Sequence, residues 1–164
     1  GLVGSEMCIR DRNMLHWIRT GEGAEGSPQL FLPIHLQEYA LFSTLSLLTF
    51  GSAALILGTY LLNYMNFYVG QLVYQSSYPW LAALIGWPPW SILRVVGYIS
   101  TGLALTALAL KLGHHFSRKF PQLDFPRQYF LMGLGLLLGD LLVKAILAPI
   151  WQQLLQIALI GTVK

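Results

Sequence analysis

The stretch YFLMGLGLLLGDLLVKAILAPIW, from Tyr129 to Trp151, decides the fold of this chain. It consists almost wholly of Leu, Gly, Ala, Ile and Val, and it exceeds the roughly 20 residues that an α-helix needs to cross a bilayer. Two charged residues, Asp140 and Lys144, interrupt it. Each charge would cost roughly 2.5 to 3.5 kcal/mol at the bilayer centre, but at i,i+4 on one helix they can neutralise each other. The stretch therefore predicts a membrane helix that carries an intramembrane charge pair.

The composition of the whole chain agrees with a membrane protein. Of its 164 residues, 55% are hydrophobic and only 10% are charged, which leaves too little polar surface for the exterior of a soluble domain. The net charge of +3 does not indicate nucleic acid binding, because the basic residues are few and lie beside hydrophobic segments. We expect an all-α integral membrane protein whose main partner is the lipid bilayer.

The first twelve residues, GLVGSEMCIRDR, are set apart from the rest of the chain. They resemble translated sequencing adapter at the start of proteins predicted from metagenomic assemblies, and residues 1–12 are therefore excluded from the fold prediction. The natural chain would then start at Met14 or further upstream, and the sequence would be complete or the C-terminal part of a larger protein. Since the single cysteine, Cys8, lies in this segment, neither a disulfide framework nor a cysteine-rich metal site is expected.

The remaining chain divides into a lead-in and a membrane domain. Residues 13–35 are polar and rich in glycine, and they predict a flexible lead-in. Residues 36–164 predict a helical membrane domain with three spans, at about 36–62, 92–112 and 128–150. The last helix can continue past Pro149 as far as Ile160, because a proline can kink a membrane helix without ending it.

Residues 63–91 lie between the first two spans and contain no charged residue. Many aromatic rings, which favour the level of the lipid headgroups, and the turn from Trp87 to Trp90 predict an interfacial or re-entrant segment. The alternative is a fourth, tilted span over residues 66–87, which would give four transmembrane helices.

A basic loop precedes the last span, and its residues Arg118, Lys119 and Arg127 predict contact with anionic lipid headgroups. By the positive-inside rule this loop faces the cytoplasm. We expect a multi-pass protein of the bacterial inner membrane.

Glycines predict where helices pack closely. Gly135 and Gly139 form a GxxxG spacing on the last helix, and Gly97 and Gly102 lie in the preceding span. Since Asp140 and Lys144 lie on roughly the opposite face of the last helix from this spacing, we expect neighbours on both faces. Three short helices have little interior, so the sequence predicts a homo- or hetero-oligomer.

Two groups of side chains are candidate functional sites. Asp140 and Lys144 are either a structural ion pair, satisfied within the helix or by polar residues such as Arg94, Thr101 or Ser52, or a proton- or cation-coupling site. His35, His114 and His115 share one side in the three-span arrangement and are alternative ligands for haem or another metal, unless they simply contact headgroups or water.

No enzyme signature is present in the sequence: it lacks a GxSxG elbow, a Walker loop, a dinucleotide fingerprint and an HExxH motif. We therefore expect no enzymatic activity and no cofactor. The leading hypothesis is a non-enzymatic membrane subunit or a fragment of a larger membrane protein. The alternatives are a proton- or ion-coupled transporter that uses Asp140 and Lys144, and a haem-carrying redox subunit.

Overall fold

A computed structural model describes residues 13–23, 25–117 and 123–160. These residues form helices and contain no strand, which confirms the all-α prediction. The helices are α1 (residues 13–20), α2 (Pro28–Leu48), α3 (Ser52–Gln75), α4 (Pro79–Ile85), α5 (Pro89–Phe116) and α6 (Arg127–Ile160).

Within the described chain, α5 and α6 are the helices long and apolar enough to cross a membrane. They contain the predicted spans 92–112 and 128–150. At 1.5 Å per residue they measure about 42 Å and about 51 Å, against a hydrocarbon core of about 30 Å. As the sequence indicated, α6 runs through Pro149 to Ile160.

The predicted span 36–62 was wrong as a single helix, because the chain turns between α2 and α3. Phe50 and Gly51 have φ angles of +51° and +85°, a left-handed conformation that ends a helix. The Gly51 amide donates to the carbonyl of Ser46 at 2.9 Å, which caps α2. A Cβ atom at Gly51 would lie 3.1 Å from Thr106 Cγ2 on α5, so this position requires glycine for space as well as for its φ angle.

The predicted interfacial segment 63–91 contains parts of three helices. Residues 63–75 continue α3, and α4 follows after a short break. The predicted turn is present at residues 86–88, and Pro89 begins α5 where its missing amide costs no helical hydrogen bond. A location of this segment at a membrane surface remains a prediction.

The predicted lead-in also differs from the structure. Residues 13–20 are helical, and the side chains of Trp17 and Ile18 are buried. The polar residues 20–27 follow this small apolar helix, and their composition led to the prediction of a flexible segment for the whole lead-in. Residues 1–12, which the sequence assigned to adapter, lie outside the described residues.

The chain forms two compact units. The first unit contains the described residues up to Pro33, Leu62–Pro89 and residues 142–160. Its core includes Trp17, Ile18, Phe31, Leu72 and Leu155. The second unit contains Ile34–Leu61 and the described residues of Trp90–Leu141. Its core includes Phe42, Ala54, Trp90, Ala104 and Leu105. Because α6 contributes to both units, Asp140 belongs to the second unit and Lys144 to the first.

Candidate functional site: two buried ion pairs

Asp140 pairs with Arg94 in the second unit. Arg94 Nε donates to Asp140 Oδ2 at 2.7 Å, and Arg94 Nη2 donates to Asp140 Oδ1 at 3.0 Å. The Asp140 side chain is only 3% exposed and that of Arg94 is 20% exposed. Two parallel charge-assisted hydrogen bonds fix both the distance and the orientation of the two groups. The pair therefore joins α5 to α6 at one defined register.

Small residues bring α5 and α6 close enough for this pair to form. A Cβ atom at Gly97 would lie 2.9 Å from the Leu137 side chain, and one at Gly133 would lie 3.0 Å from the Gly97 carbonyl oxygen. Thr101 faces the same crossing and donates its hydroxyl to the Gly97 carbonyl at 2.7 Å. Close backbone approach through small residues is typical of membrane helix packing.

Aromatic and titratable side chains of α2 lie beside this pair. The ring of Tyr98, one turn after Arg94, is 6.4 Å from the ring of Tyr39 and 4.7 Å from the ring of Phe42. Tyr98 is also within electrostatic range of Glu38, Arg94 and Asp140. On α2, His35 Nδ1 lies 3.3 Å from Glu38 Oε2. Tyr98 thus connects the α2 side chains with the helix that carries Arg94.

Lys144 forms the second buried pair, in the first unit. Its Nζ lies 2.6 Å from Glu25 Oε2 and 4.5 Å from the centre of the Phe31 ring. The Lys144 side chain is only 1% exposed, whereas that of Glu25 is 30% exposed. An aromatic face adds a cation–π interaction to the ion pair. The loop before α2 thus neutralises the charge of a residue on α6.

The loop can reach Lys144 because glycines turn it and α6 anchors the helix before it. Gly21 and Gly23 have φ angles of +76° and +138°, values that other residues rarely adopt. The side-chain amide of Gln152 donates to the Ile18 carbonyl at 2.7 Å, and that of Gln156 donates to the Arg19 carbonyl at 2.9 Å. These bonds satisfy carbonyls at the C-terminal end of α1, which its own helix leaves open.

The structure gives Asp140 and Lys144 different partners. Among the alternatives from the sequence, Arg94 is the residue that binds Asp140. The sequence analysis missed Glu25, which it placed in a flexible lead-in. The sequence did contain a clue to this partner. Because the chain has only seven acidic residues, a buried lysine has few candidate partners.

The predicted packing glycines have different surroundings. Gly97 lies at the crossing of α5 and α6, and a Cβ atom at Gly102 would lie 3.0 Å from the Phe42 ring. A Cβ atom at Gly139 would only touch Leu93 at 4.0 Å, and one at Gly135 would meet no described atom within 4 Å. The GxxxG face of α6 is therefore open at Gly135. Gly133, which at 100° per residue lies on the same face of α6 as Asp140 and Lys144, is at the close crossing.

The structure describes the three candidate histidines and only part of the basic loop. Within residues 13–23, 25–117 and 123–160, no three His, Cys, Asp or Glu side chains are grouped to hold a metal ion. His35 lies beside Glu38, while His114 and His115 lie in the last turn of α5. The haem hypothesis needs fewer ligands and remains a prediction. Arg118 and Lys119 lie outside the described residues, and Arg127 begins α6.

Comparison of the chain with protein-family models, with curated proteins and with solved structures found no match.

The Arg94 pairing predicts the outcome of a mutant cycle. Asp140→Leu should lower the free energy of unfolding by about 3 kcal/mol, near the lower end for a broken buried pair because Arg94 keeps some exposure. Arg94→Met in the same chain should restore most of this loss, whereas Lys144→Leu should not. Unfolding in mixed detergent micelles measures all three chains. Asp124→Leu is the control, because Asp124 is fully exposed beside Lys111. Equal rescue by Arg94→Met and Lys144→Leu would contradict the assignment.

The second pair predicts an analogous cycle in the loop before α2. Glu25→Ala leaves a buried ammonium without its carboxylate, and we expect a loss of roughly 3 kcal/mol. The double change Glu25→Ala with Lys144→Met should recover stability, since it removes both charges. Thermal unfolding followed by circular dichroism in detergent is the measurement. The control is Glu22→Ala in the same loop, where the residue is exposed. If Glu25→Ala and Glu22→Ala unfold at the same temperature, Glu25 does not stabilise Lys144.

Proposed function

We propose that this chain is an integral membrane protein that acts as a non-enzymatic subunit of a membrane assembly. The observation that carries this proposal is the exposure of its longest apolar helix. Only 17% of the most apolar 18-residue stretch of α6 is buried, and the value for α5 is 39%. A core helix of a soluble protein is mostly buried, so exposed apolar surface of this extent favours lipid or partner helices as its surroundings.

The ion pairs support a structural role for the charged residues. In hydrocarbon an isolated charge is expensive, and both Asp140 and Lys144 are almost fully buried against an opposite charge. A fork-shaped pair such as Arg94 with Asp140 holds two helices at one register. The arrangement of Asp140 and Lys144 is thus typical of charged residues that hold helices in position.

The proposed topology is based on the two long helices and the loop that joins them. We place α5 and α6 across the membrane as a hairpin. The basic residues of the connecting loop, including Arg118, Lys119 and Arg127, favour its location on the cytoplasmic side. The bacterial inner membrane, inferred from the sequence, remains part of this proposal.

The open glycine on α6 supports the role of a subunit. A Cβ atom at Gly135 would meet no described atom within 4 Å, and the neighbouring Leu131 and Leu138 are 54% and 62% exposed. We assign this face to a second copy of the chain, because a GxxxG face is self-complementary and a two-fold interface uses the same patch twice.

Transport is the second candidate function. The observation that favours it is the burial of Asp140 in the unit that also contains the titratable residues Glu38 and Tyr98. The version in which Asp140 and Lys144 act together has less support, because each has its own partner. A transporter should lose substrate flux on Asp140→Asn and keep its fold.

Insertion of α5 into lipid predicts the effect of a charge at its centre. Leu103 lies in the middle of α5 and is 58% exposed. A lysine there should cost roughly 2.5 to 3.5 kcal/mol of insertion free energy, so Leu103→Lys should reduce the fraction of protein that resists extraction with alkaline carbonate. On a soluble protein the same change would be neutral.

Phe116→Lys is the matched control on the same helix. Phe116 is 87% exposed at the loop end of α5, where a lysine can reach the headgroups. This variant should remain in the carbonate-resistant fraction. Full carbonate extraction of the unmodified chain, or equal behaviour of the two lysine variants, would refute the membrane assignment.

The second-copy assignment predicts a loss of association in Gly135→Leu. Leucine is a better helix former than glycine by nearly 1 kcal/mol, so this chain should fold but block close helix approach. Light scattering in mild detergent should give a dimer of the 18.3 kDa chain for the unmodified protein and a monomer for the variant. Gly58→Leu is the control, since it fills an equally open position on α3. A dimer that survives Gly135→Leu would place the interface elsewhere.

A further inference from the structure

The turn between α2 and α3 is apolar on its surface. Between Glu38 and Arg94 the sequence contains no Asp, Glu, Lys or Arg. Four of the exposed side chains around the turn are large and hydrophobic: Leu48 is 73% exposed, Phe50 40%, Leu55 75% and Ile56 73%. The Ser52 side chain is exposed too, and its hydroxyl donates to the Thr49 carbonyl at 2.8 Å. Turns at a water interface are normally polar, because their backbone groups need solvent as a hydrogen-bond partner. The surface of this turn consists mainly of apolar side chains instead.

Several backbone donors of the turn find their acceptors within the turn itself. The amides of Thr49 and Gly51 donate to the carbonyls of Leu45 and Ser46. The amides of Ser52 and Leu55, at the start of α3, donate to the carbonyls of Thr49 and Gly51. The Thr49 hydroxyl accepts the amide of Ala53 at 2.9 Å. A helix start usually leaves such amides to water, whereas hydrocarbon requires partners within the protein.

The depth of the turn can be measured against α5 in the same unit. Gly51 lies against Thr106. From the level of Thr106, α5 continues for ten residues, about 15 Å, to its end at Phe116. The first charged residue in this direction is Lys111, about 8 Å along the helix from Thr106. In the opposite direction, the part of α2 from Leu48 back to Glu38 carries no charge before Glu38 and is also about 15 Å long. This length is half the thickness of a hydrocarbon core. The turn therefore stops short of the loop end of α5.

Contacts in the first unit constrain the ends of this hairpin. Gln152 binds the Ile18 carbonyl before α2, and the Ser77 hydroxyl donates to the Leu159 carbonyl at 3.2 Å after α3. The chain segments before α2 and after α3 thus meet the same end of α6. They must lie on the same side of a membrane, so α2 and α3 together cross it either twice or not at all. This parity disfavours the three-span arrangement.

We propose that α2 and α3 form a re-entrant hairpin, which enters the bilayer from the side opposite the basic loop and holds its turn at Thr49–Gly51 among the lipid acyl chains. This inference rests on the proposed membrane insertion of α5 and α6. The occupant of the exposed surface around Leu48 and Leu55 is the hydrocarbon of the bilayer.

Single-cysteine labelling of the full chain tests the hairpin. In a Cys8→Ser background, cysteines are placed at Leu48 and Ser52 in the turn, at Glu22 and Ser77 on the two sides of the hairpin, and at Ser117 in the basic loop. A membrane-impermeant maleimide is applied to sealed vesicles from either side. Glu22→Cys and Ser77→Cys should label from one side and Ser117→Cys from the other. The two turn cysteines should label from neither side until the membrane is dissolved.

A nitroxide spin label on Leu48→Cys distinguishes lipid from protein surroundings. In acyl chains the label should collide often with oxygen and rarely with a water-soluble nickel chelate. Labelling of the turn from the Ser117 side would show two full crossings, and labelling from the Glu22 side would place the hairpin in water; either result overturns the proposal. A nitroxide shielded from both oxygen and nickel would also overturn it. Carbonate extraction of the protein would instead refute the membrane assignment itself, so the two failures are distinguishable.

Discussion

The paired hydrogen bonds between Arg94 and Asp140 are the interaction on which the packing of the second unit depends. They are formed by residues 46 positions apart, and they need α5 and α6 to approach more closely than ordinary side chains permit. Gly97 and Gly133 provide that approach. A shift of either helix by one residue would separate the guanidinium from the carboxylate and bring a Cβ atom into the crossing. Geometry and charge therefore select the same register.

Lys144 imposes the corresponding constraint on the first unit. A buried ammonium on a helix that could span a bilayer must find an anion, and the loop before α2 supplies Glu25. That loop is held by α1, whose end is bound by Gln152 and Gln156. The polar residues of the C-terminal part of α6 thus bind a segment from the other end of the chain. Each unit is organised around one charge of α6.

The sequence was most informative where one rule dominates. Long, predominantly apolar runs identified α5 and α6, since few structures other than a long helix accommodate such a run. The end of α2 was not predictable in the same way, because Phe50 adopts a left-handed conformation that composition does not favour. Gly51 within an apolar run is also compatible with close helix packing, so glycine alone does not mark the turn. Asp140 and Lys144 were identified as special from their cost in lipid, but the choice between a local and a distant partner depends on tertiary structure.

The need for internal partners links these features into one physical account. Hydrocarbon cannot hydrogen-bond to a backbone amide or solvate a charge, so each such group within reach of lipid must be satisfied by the chain. The turn at Thr49–Gly51 does this with neighbouring carbonyls and a threonine hydroxyl, which are local partners. The charges of α6 do it with distant partners, and closing a long loop costs only slightly more than closing a short one. Hydrogen bonds between near neighbours would allow the turn to lie in lipid but do not specify the fold, whereas pairs between distant residues select which helices meet. The buried charges therefore contribute specificity to a chain whose apolar surfaces alone would allow many packings.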